Sequence, residues 1–269
     1  MINTIFQTAN NAIEKATQII LEAHNLPKIT EYKGRTDLVT KTDRQSEKLI
    51  ISEIKKVFPK HGIIAEESDR INAESEYQWI IDPLDGTTNF VHGYPSFGIS
   101  IGVMHNDKVI CGIVKELPTN LTYSAISGEG AFCDGKQIYV SDVDSLDQSL
   151  LVTGFGYEHD EKWATNIELF KQLTDTTQGV RRLGAAAIDL CHVAYGKVDG
   201  YWEFDIQPWD ISAGTLIVQE AGGKVTKMDG NIYSIHNPQI LATNGKIHSE
   251  MLTITKPAIE ILRHQGINL

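Results

Sequence analysis

The residues best suited to chemistry lie in one short segment, residues 79–91. Its first residues are apolar and β-branched or aromatic, which predicts a buried strand that carries Asp82 at its C-terminal end. Pro83 favours an extended Asp82 and turns the chain, so that Asp85 follows three residues later. Two carboxylates that converge at the end of a buried strand need a compensating positive charge, which a cation can supply.

The residues that follow Asp85 favour an anion site beside these carboxylates. Gly86 permits a close backbone approach, and Thr87 and Thr88 are typical of the start of a helix, whose free N–H groups attract anions. The segment therefore predicts adjacent metal and phosphate sites. Each element alone has an equally ordinary explanation, because Asp-Pro and Asp-Gly are common turn dipeptides and Thr is a common N-cap.

The same segment resembles the signature of the inositol monophosphatase family, which contains magnesium-dependent, lithium-sensitive phosphomonoesterases. Further segments occur in the family's order: Asp37-Leu38-Val39-Thr40 with Asp43, Ala65-Glu66-Glu67-Ser68, Gly184-Ala185-Ala186, and Pro208-Trp209-Asp210 with Glu220-Ala221-Gly222-Gly223. The resemblance spans nearly the whole chain. It implies a fold of mixed α/β and α+β class, a layered αβαβα sandwich of the inositol monophosphatase or fructose bisphosphatase type.

The resemblance also implies the roles of individual residues. Thr87 and Asp43 are implied as catalytic, because the matching Asp accepts a hydrogen bond from the Thr and helps to orient the attacking water. The implied ligands of two or three Mg²⁺ ions are Glu66, Asp82, the Leu84 carbonyl, Asp85 and Asp210. These oxygen ligands suit Mg²⁺, and no His or Cys cluster favours zinc. The implied substrate-binding residues are Gly86, Thr87, Thr88, Gly184, Ala186 and Glu203.

Several of these residues also have structural explanations. Asp43 lies in a Thr-x-x-Gln capping box and suits the first turn of a helix that begins at about Thr42. Glu66 and Glu67 are adjacent on the chain, so both cannot face one site, and a solvated pair is the alternative. Asp210 precedes a predicted helix over residues 211–221 and suits its N-cap.

The first half of the chain, residues 1–145, is predicted as an α+β half that carries most of the metal ligands. A helix over residues 3–23 is followed by a basic loop at residues 33–37, and in the family the equivalent loop can close over the metals. The resemblance implies no particular role for Lys33. A strand over residues 62–65 and an antiparallel meander over residues 100–103, 109–114, 121–126 and 137–140 complete this half.

The second half, residues 146–269, alternates short strands with helices, which indicates α/β organisation. The predicted strands cover residues 150–153, 180–183, 200–203 and 239–242, and the helices cover residues 161–173, 186–195 and 211–221, with a last helix that ends near Arg263. Asn244 is a possible cap of this last helix. The active site is expected between the halves, with Asp210 and the substrate-side residues in the second. The family often has Ser or Thr where this chain has Ala185.

Composition limits the partners. The 269 residues include 24 Lys and Arg against 35 Asp and Glu, which gives a net charge of −11. This charge opposes binding to nucleic acid polymers and to anionic membranes, and an anionic substrate then requires bound cations. The three cysteines are widely spaced, which indicates reduced, buried thiols. No run approaches the roughly 20 apolar residues of a membrane span, and we expect a cytoplasmic protein.

The expected function is Mg²⁺-dependent hydrolysis of a small phosphomonoester, with inositol monophosphate as the first candidate, by metal-activated water. The motif recognises the phosphate group and not the leaving group, so other substrates remain alternatives: fructose 1,6-bisphosphate, NADP, histidinol phosphate and a 3′-phosphonucleotide. An inactive cation-binding homologue is a further alternative, against which the intact Asp82, Asp85, Thr87 and Asp210 argue. The expected partners are the small phosphorylated substrate and, as is common in the family, a second copy in a homodimer.

Overall fold

The structure of the protein is a computed structural model that describes residues 1–24, 26, 30–32, 38–267 and 269. The basic loop of residues 33–37, with Lys33 and Asp37, lies outside the described residues. Within them, no helix combines the length and the apolar character that a membrane span requires. The three cysteines are buried and free, as predicted.

The described chain has consecutive strands in its first half and mostly alternating strands and helices in its second half. The helices are α1 (Ile2–His24), α2 (Lys41–Val57), α3 (Thr87–His92), α4 (Glu161–Thr176), α5 (Ala186–Ala194), α6 (Pro208–Glu220) and α7 (His248–His264). The strands are β1 (Thr30–Tyr32), β2 (Leu38–Thr40), β3 (Gly62–Ala65), β4 (Tyr77–Asp85), β5 (Gly98–His105), β6 (Lys108–Glu116), β7 (Leu121–Ile126), β8 (Gly130–Cys133), β9 (Lys136–Ile138), β10 (Leu150–Thr153), β11 (Gly179–Arg181), β12 (Gly200–Phe204), β13 (Lys224–Thr226) and β14 (Gln239–Thr243).

The first half forms a seven-stranded sheet in the order β3-β4-β5-β6-β7-β8-β9. β3 is parallel to β4, and the remaining neighbours are antiparallel. Helices α1 and α2 cover one face, because each has an apolar stripe: Ile5 and Ile13 of α1 and Ile50 of α2 are fully buried with Trp79 and Ile81 of β4.

The second half forms a five-stranded sheet in the order β11-β10-β12-β14-β13. β10, β11 and β12 are parallel and are connected through α4 and α5, whereas β14 runs antiparallel to both of its neighbours. Helices α4 and α7 cover the outer face, where Leu169 and Leu262 pack with Trp202 and Leu241. The predicted change from an antiparallel meander to α/β organisation is therefore present.

Helices α5 and α6 form the layer between the two sheets. Their apolar residues share one core with Val114 and Tyr123 of the first sheet and with Val152 and Ala242 of the second. α6 lies very close to the first sheet, since a Cβ on Gly112 would be 2.8 Å from the Ala213 carbonyl oxygen. The expected layered αβαβα sandwich is confirmed. The two sheets separate between β9 and β10, and the division into halves 1–145 and 146–269 remains our proposal.

Several features differ from the sequence prediction. β4 does not end at Asp82 but continues to Asp85, because a bulge between these residues accommodates Pro83, which has no N–H to donate. α2 begins at Lys41, one residue before the predicted start, and its N-cap is Thr40. The strands β1, β2, β8 and β13 have no counterpart in the sequence prediction, and β9 ends two residues earlier than expected.

Candidate active site

The bulge in β4 lies at the C-terminal end of the strand and carries two buried carboxylates, where the first half contacts α5 of the second. Asp82 pairs with Ser100 and Asp85 with Gly98, and the register shifts between these pairs. Both side chains are buried. Asp82 Oδ1 accepts a hydrogen bond from the Leu84 backbone N–H at 3.0 Å. The bulge thus fixes one carboxylate against the turn that carries the other.

The negative charges of the neighbouring carboxylates raise one another's pKa. Burial raises the pKa of Asp82 well above its ordinary value, and the charges of Glu66, Asp85 and Asp210 raise it further. Burial raises the pKa of Asp85 to about 7, although N–H groups of α5 oppose this change. Within the described chain, no Lys or Arg forms an ion pair with Asp82, Asp85 or Asp210. Buried oxygen ligands without a cationic partner fit a divalent cation.

The carboxylates of Asp82, Asp85 and Asp210 have separate hydrogen-bond partners. Among the described residues, no group of three or more His, Cys, Asp or Glu side chains is placed to hold a metal ion together. Asp82, Asp85 and Asp210 each have an oxygen that accepts a hydrogen bond from a backbone N–H. Mutual repulsion of the carboxylates favours such separate partners. The metal-binding role of these residues remains a prediction.

Asp43 and Thr87 form the hydrogen bond that the resemblance implies. Thr87 Oγ1 donates to Asp43 Oδ1 at 2.7 Å and also lies 3.1 Å from the Leu84 carbonyl oxygen. Asp43 Oδ2 accepts from the backbone N–H of Thr40 at 2.9 Å. The capping box therefore joins Thr40 to Asp43, and the predicted box from Thr42 to Gln45 is wrong. Asp43 therefore caps the helix with Oδ2 and accepts the hydrogen bond from Thr87 with Oδ1.

Two further residues of α2 support the site, although the sequence motifs do not include them. Ser46 Oγ donates to the Pro83 carbonyl oxygen at 2.9 Å, and Glu47 Oε2 accepts from the Glu67 backbone N–H at 2.8 Å. Both side chains are buried. They lie three and four residues after Asp43, which puts all three on one helix face. This spacing is the signal that would have identified them.

Glu66 lies beside the carboxylates of β4. It follows β3, and its backbone N–H donates to the Ile81 carbonyl oxygen at 3.3 Å, next to Asp82. Its charge raises the pKa of Asp82, Asp85 and Asp210. The structure therefore places Glu66 beside the other predicted metal ligands. Adjacent side chains alternate along a strand, so only one of Glu66 and Glu67 can face this site.

Asp85 connects the first half to α5 in the second. Its Oδ2 accepts a hydrogen bond from the Ala187 backbone N–H at 2.9 Å. The N-cap residue of α5 is Ala185, which has no side-chain acceptor. Asp85 therefore supplies the cap that the helix itself lacks.

The predicted substrate residues of the two halves meet at this junction. Gly86 has a φ of +84°, and a Cβ there would be 2.7 Å from the Ser96 carbonyl oxygen and 3.2 Å from Ala185 Cβ. Gly184 also has a φ of +84° immediately before α5. Both positions therefore require glycine. Thr88, the second residue of α3, is exposed.

Asp210 is the third residue of α6 and not its N-cap, so the predicted cap position is wrong. The N-cap is Gln207 and Pro208 occupies the first position. Asp210 Oδ2 accepts from the Gln207 backbone N–H at 2.8 Å. Burial raises the pKa of Asp210 well above its ordinary value, and Glu66 and Asp85 add to this effect. The side chain thus belongs to the same acidic group.

Glu203 lies on β12 and is buried on the second-half side of this group. Tyr201, two residues before it on the same strand face, donates its hydroxyl hydrogen to Glu203 Oε2. Burial raises the pKa of Glu203 to about 7. A Cβ on Gly154 would overlap the Glu203 carboxylate, so this glycine makes room for it. Tyr201 and Gly154 carry no sequence signal of this role.

The chain is similar to known proteins over nearly its whole length. The sequence profile of the Inositol monophosphatase family matches residues 1–260. The protein named Phosphatase IMPL1, chloroplastic, from Arabidopsis thaliana is 47% identical over 271 residues, which cover 98% of this chain and 73% of that protein. The Putative Nus factor SuhB from Neisseria meningitidis serogroup B is 40% identical over 256 residues, which cover 94% of this chain and 98% of that protein.

The fold is shared with solved structures. The structure of inositol monophosphatase from Anabaena (Nostoc) superposes with a TM-score of 0.85 at 40% identity, and the match covers 97% of this chain and 96% of that one. Together with the relatives in sequence, this similarity supports phosphomonoester hydrolysis as the chemistry of the site. The chain belongs to the inositol monophosphatase family.

Proposed function

We propose that this protein hydrolyses a small phosphomonoester with Mg²⁺, and that inositol monophosphate is the first substrate to test. The observation that supports this most is the 2.7 Å hydrogen bond from Thr87 to Asp43 beside the buried Asp82 and Asp85 and the half-buried Asp210. A hydroxyl held by a carboxylate next to uncompensated acidic groups suits the orientation of a water molecule in a cation-dependent reaction.

The cation ligands that we propose are oxygen atoms: Glu66, Asp82, the Leu84 carbonyl, Asp85 and Asp210. Their chemistry fits Mg²⁺, and two or three ions would suit the number of ligands. When bound, Mg²⁺ would acidify water and neutralise charge on the phosphoryl oxygens. Burial of Asp82 and Asp85 limits solvation of their charge, which favours its neutralisation by a cation.

Thr87 has the geometry to orient the attacking water. Its single hydroxyl hydrogen is donated to Asp43, so its lone pairs can accept a hydrogen bond from water. A water that donates to Thr87 Oγ1 has a lone pair free for attack on phosphorus. The Asp43 side chain is held in this orientation toward Thr87, because its second oxygen accepts a hydrogen bond from Thr40 N–H at the start of α2. Asp43 thus acts through Thr87.

The substrate is proposed to lie across the junction of the two halves. Its phosphoryl group would contact Gly86, Thr87 and Thr88 of the first half, and Gly184 and Ala186 of the second. Glu203 would accept a hydrogen bond from a hydroxyl of the leaving group with the oxygen that Tyr201 does not contact. A carboxylate in this position supports a neutral polyol leaving group, as in inositol monophosphate.

The experiment that tests this function is a phosphate-release panel with Mg²⁺ and with EDTA. The panel contains inositol monophosphate, fructose 1,6-bisphosphate, NADP, histidinol phosphate and a 3′-phosphonucleotide, because the same site reads the phosphate in each. We expect Mg²⁺-dependent turnover with a preference for inositol monophosphate. Absence of turnover on every member would refute the proposal.

A role as a Nus factor is the second candidate, because a relative at 40% identity carries that name. Such a role need not depend on catalysis. A strain that lacks this gene would be complemented with wild type and with the inactive variant Asp210→Asn. Growth restored equally by both would favour the second candidate over the enzyme as the basis of the phenotype.

Assembly and location also remain proposals. We propose a homodimer, as is common in the family, and size-exclusion chromatography with light scattering would test it. We propose a cytoplasmic location, which localisation of the tagged protein would test, since one relative carries the word chloroplastic in its name.

A further inference from the structure

Asn89 connects the two halves of the chain at the proposed substrate junction. It is the third residue of α3, and its Nδ2 donates to the carbonyl oxygens of Ser96 and Leu183, at 2.7 Å each. The Gly184 carbonyl oxygen lies 3.3 Å from the same atom. One side-chain amide therefore holds the segment before α5 against the start of α3.

The segments that Asn89 joins carry the proposed phosphoryl contacts. Gly86 and Thr87 precede it on the chain, and Gly184 and Ala186 follow Leu183. A second contact between the halves at this junction is the hydrogen bond from Ala187 N–H to Asp85 Oδ2. α5 has no cap of its own, so its first residues depend on these two contacts with the first half.

We propose that Asn89 is a positioning residue that sets the distance between the two halves of the phosphoryl site, an inference that rests on the proposed function. The amide carries two donor hydrogens on one nitrogen, which matches two carbonyl oxygens from different segments. A site assembled in this way binds an anion without first having to order the segment before α5. Asn89 itself need not contact the substrate.

The chain contains a matched control for this role. Gln78 Nε2 also donates to carbonyl oxygens, those of Ala73 and Ser75 at 2.8 Å each, with Asn72 at 3.3 Å. All of these partners lie within the first half, at the other end of β4 from Asp85. Gln78→Ala removes the same type of contact as Asn89→Ala without touching the junction.

The test compares Asn89→Ala, Gln78→Ala and wild type with Mg²⁺, below the thermal midpoint of each. Inorganic phosphate serves as a competitive inhibitor, and its inhibition constant is measured together with KM, kcat and the midpoint. We expect Asn89→Ala to raise the inhibition constant and KM by about 10- to 100-fold, with a smaller change in kcat. Gln78→Ala should lower the thermal midpoint and leave both constants at their wild-type values.

Unchanged inhibition constant and KM in a folded Asn89→Ala protein would overturn this inference and leave the proposed function intact. Equal increases in both variants would also overturn it, because they would indicate general loosening. If Asn89→Ala does not fold, Asn89→Ser keeps one short donor and is held to the same expectation. A wild type that neither hydrolyses the panel nor responds to phosphate would refute the proposed function first, and this inference with it.

Discussion

Asp85 Oδ2 accepts a hydrogen bond from the backbone N–H of Ala187 at 2.9 Å, although the two residues are 102 positions apart. A proposed metal ligand thus also caps a helix of the other half. Asp85→Asn keeps a side-chain oxygen for this bond, whereas Asp85→Ala removes it. We predict that Asp85→Ala is less stable than Asp85→Asn by about 0.5–2 kcal/mol in EDTA, as measured by urea unfolding. Equal stability would contradict the capping role.

The Asp43–Thr87 pair gives a prediction about catalysis. Thr87→Ala should lower kcat by about 10²- to 10⁴-fold with little change in KM, because the hydroxyl orients water, whereas the phosphoryl group would contact the free backbone N–H groups at the start of α3. Asp43 acts through Thr87, so Asp43→Ala with Thr87→Ala should be clearly less damaged than the summed single effects. Steady-state kinetics of the four proteins measures this. Additive losses would mean that the two residues act independently.

The raised pKa of Glu203 predicts a pH-dependent stability in the metal-free protein. Burial raises this pKa to about 7, against about 4.3 in the unfolded chain. Below about pH 4.3 both states hold the proton; above it the unfolded state releases the proton first, so stability is lost as the pH rises to about 7. Glu203→Gln should therefore become progressively more stable than wild type across this range.

Urea unfolding in EDTA at several pH values measures the difference between Glu203→Gln and wild type. Glu168 is exposed, and Glu168→Gln serves as the control because it makes the same substitution without a change in a buried group. A stability difference for Glu203→Gln that does not change between about pH 4.3 and 7 would show that the carboxyl is not held protonated.

Metal removal gives a direct prediction for the whole site. Exhaustive treatment with EDTA should abolish phosphate release, and Mg²⁺ should restore it, because the buried carboxylates then recover their compensating charge. We also expect Li⁺ to inhibit the Mg²⁺-loaded protein, as in the family. Full turnover after metal removal, checked by elemental analysis of the protein, is the outcome that excludes a cation-dependent reaction.

The dense motif of residues 79–91 allowed much of the site to be predicted, because Asp82, Asp85 and Thr87 lie close in sequence and each has a distinctive chemistry. The layered fold followed from the family resemblance and from the change of pattern near Ser149. The Thr87–Asp43 contact also followed from the resemblance, since nothing in the spacing alone links α2 to α3.

Other features depend on contacts that the sequence does not express locally. The Ala187 N–H that Asp85 caps is a backbone group, which has no residue signature. Both Thr40 and Thr42 suit an N-cap, and the extended backbone at Thr40 together with its bond to Asp43 decides between them. Pro83 normally ends a strand, but here the bulge after Asp82 lets β4 continue.

The central claim is that the acidic group binds Mg²⁺ for catalysis, and Asp210→Asn tests it most directly. Asn keeps an oxygen for the Gln207 N–H, so the free energy of unfolding should change by less than about 1 kcal/mol. The lost negative charge should weaken cation binding. Loss of a residue that only supports a metal ligand lowers activity by roughly 10- to 100-fold, and loss of the ligand charge itself should lower turnover by more than that. The measurement is phosphate release as a function of Mg²⁺ concentration. We predict a folded, nearly inactive protein with a sharply raised Mg²⁺ requirement, whereas wild-type turnover at wild-type Mg²⁺ would contradict the account.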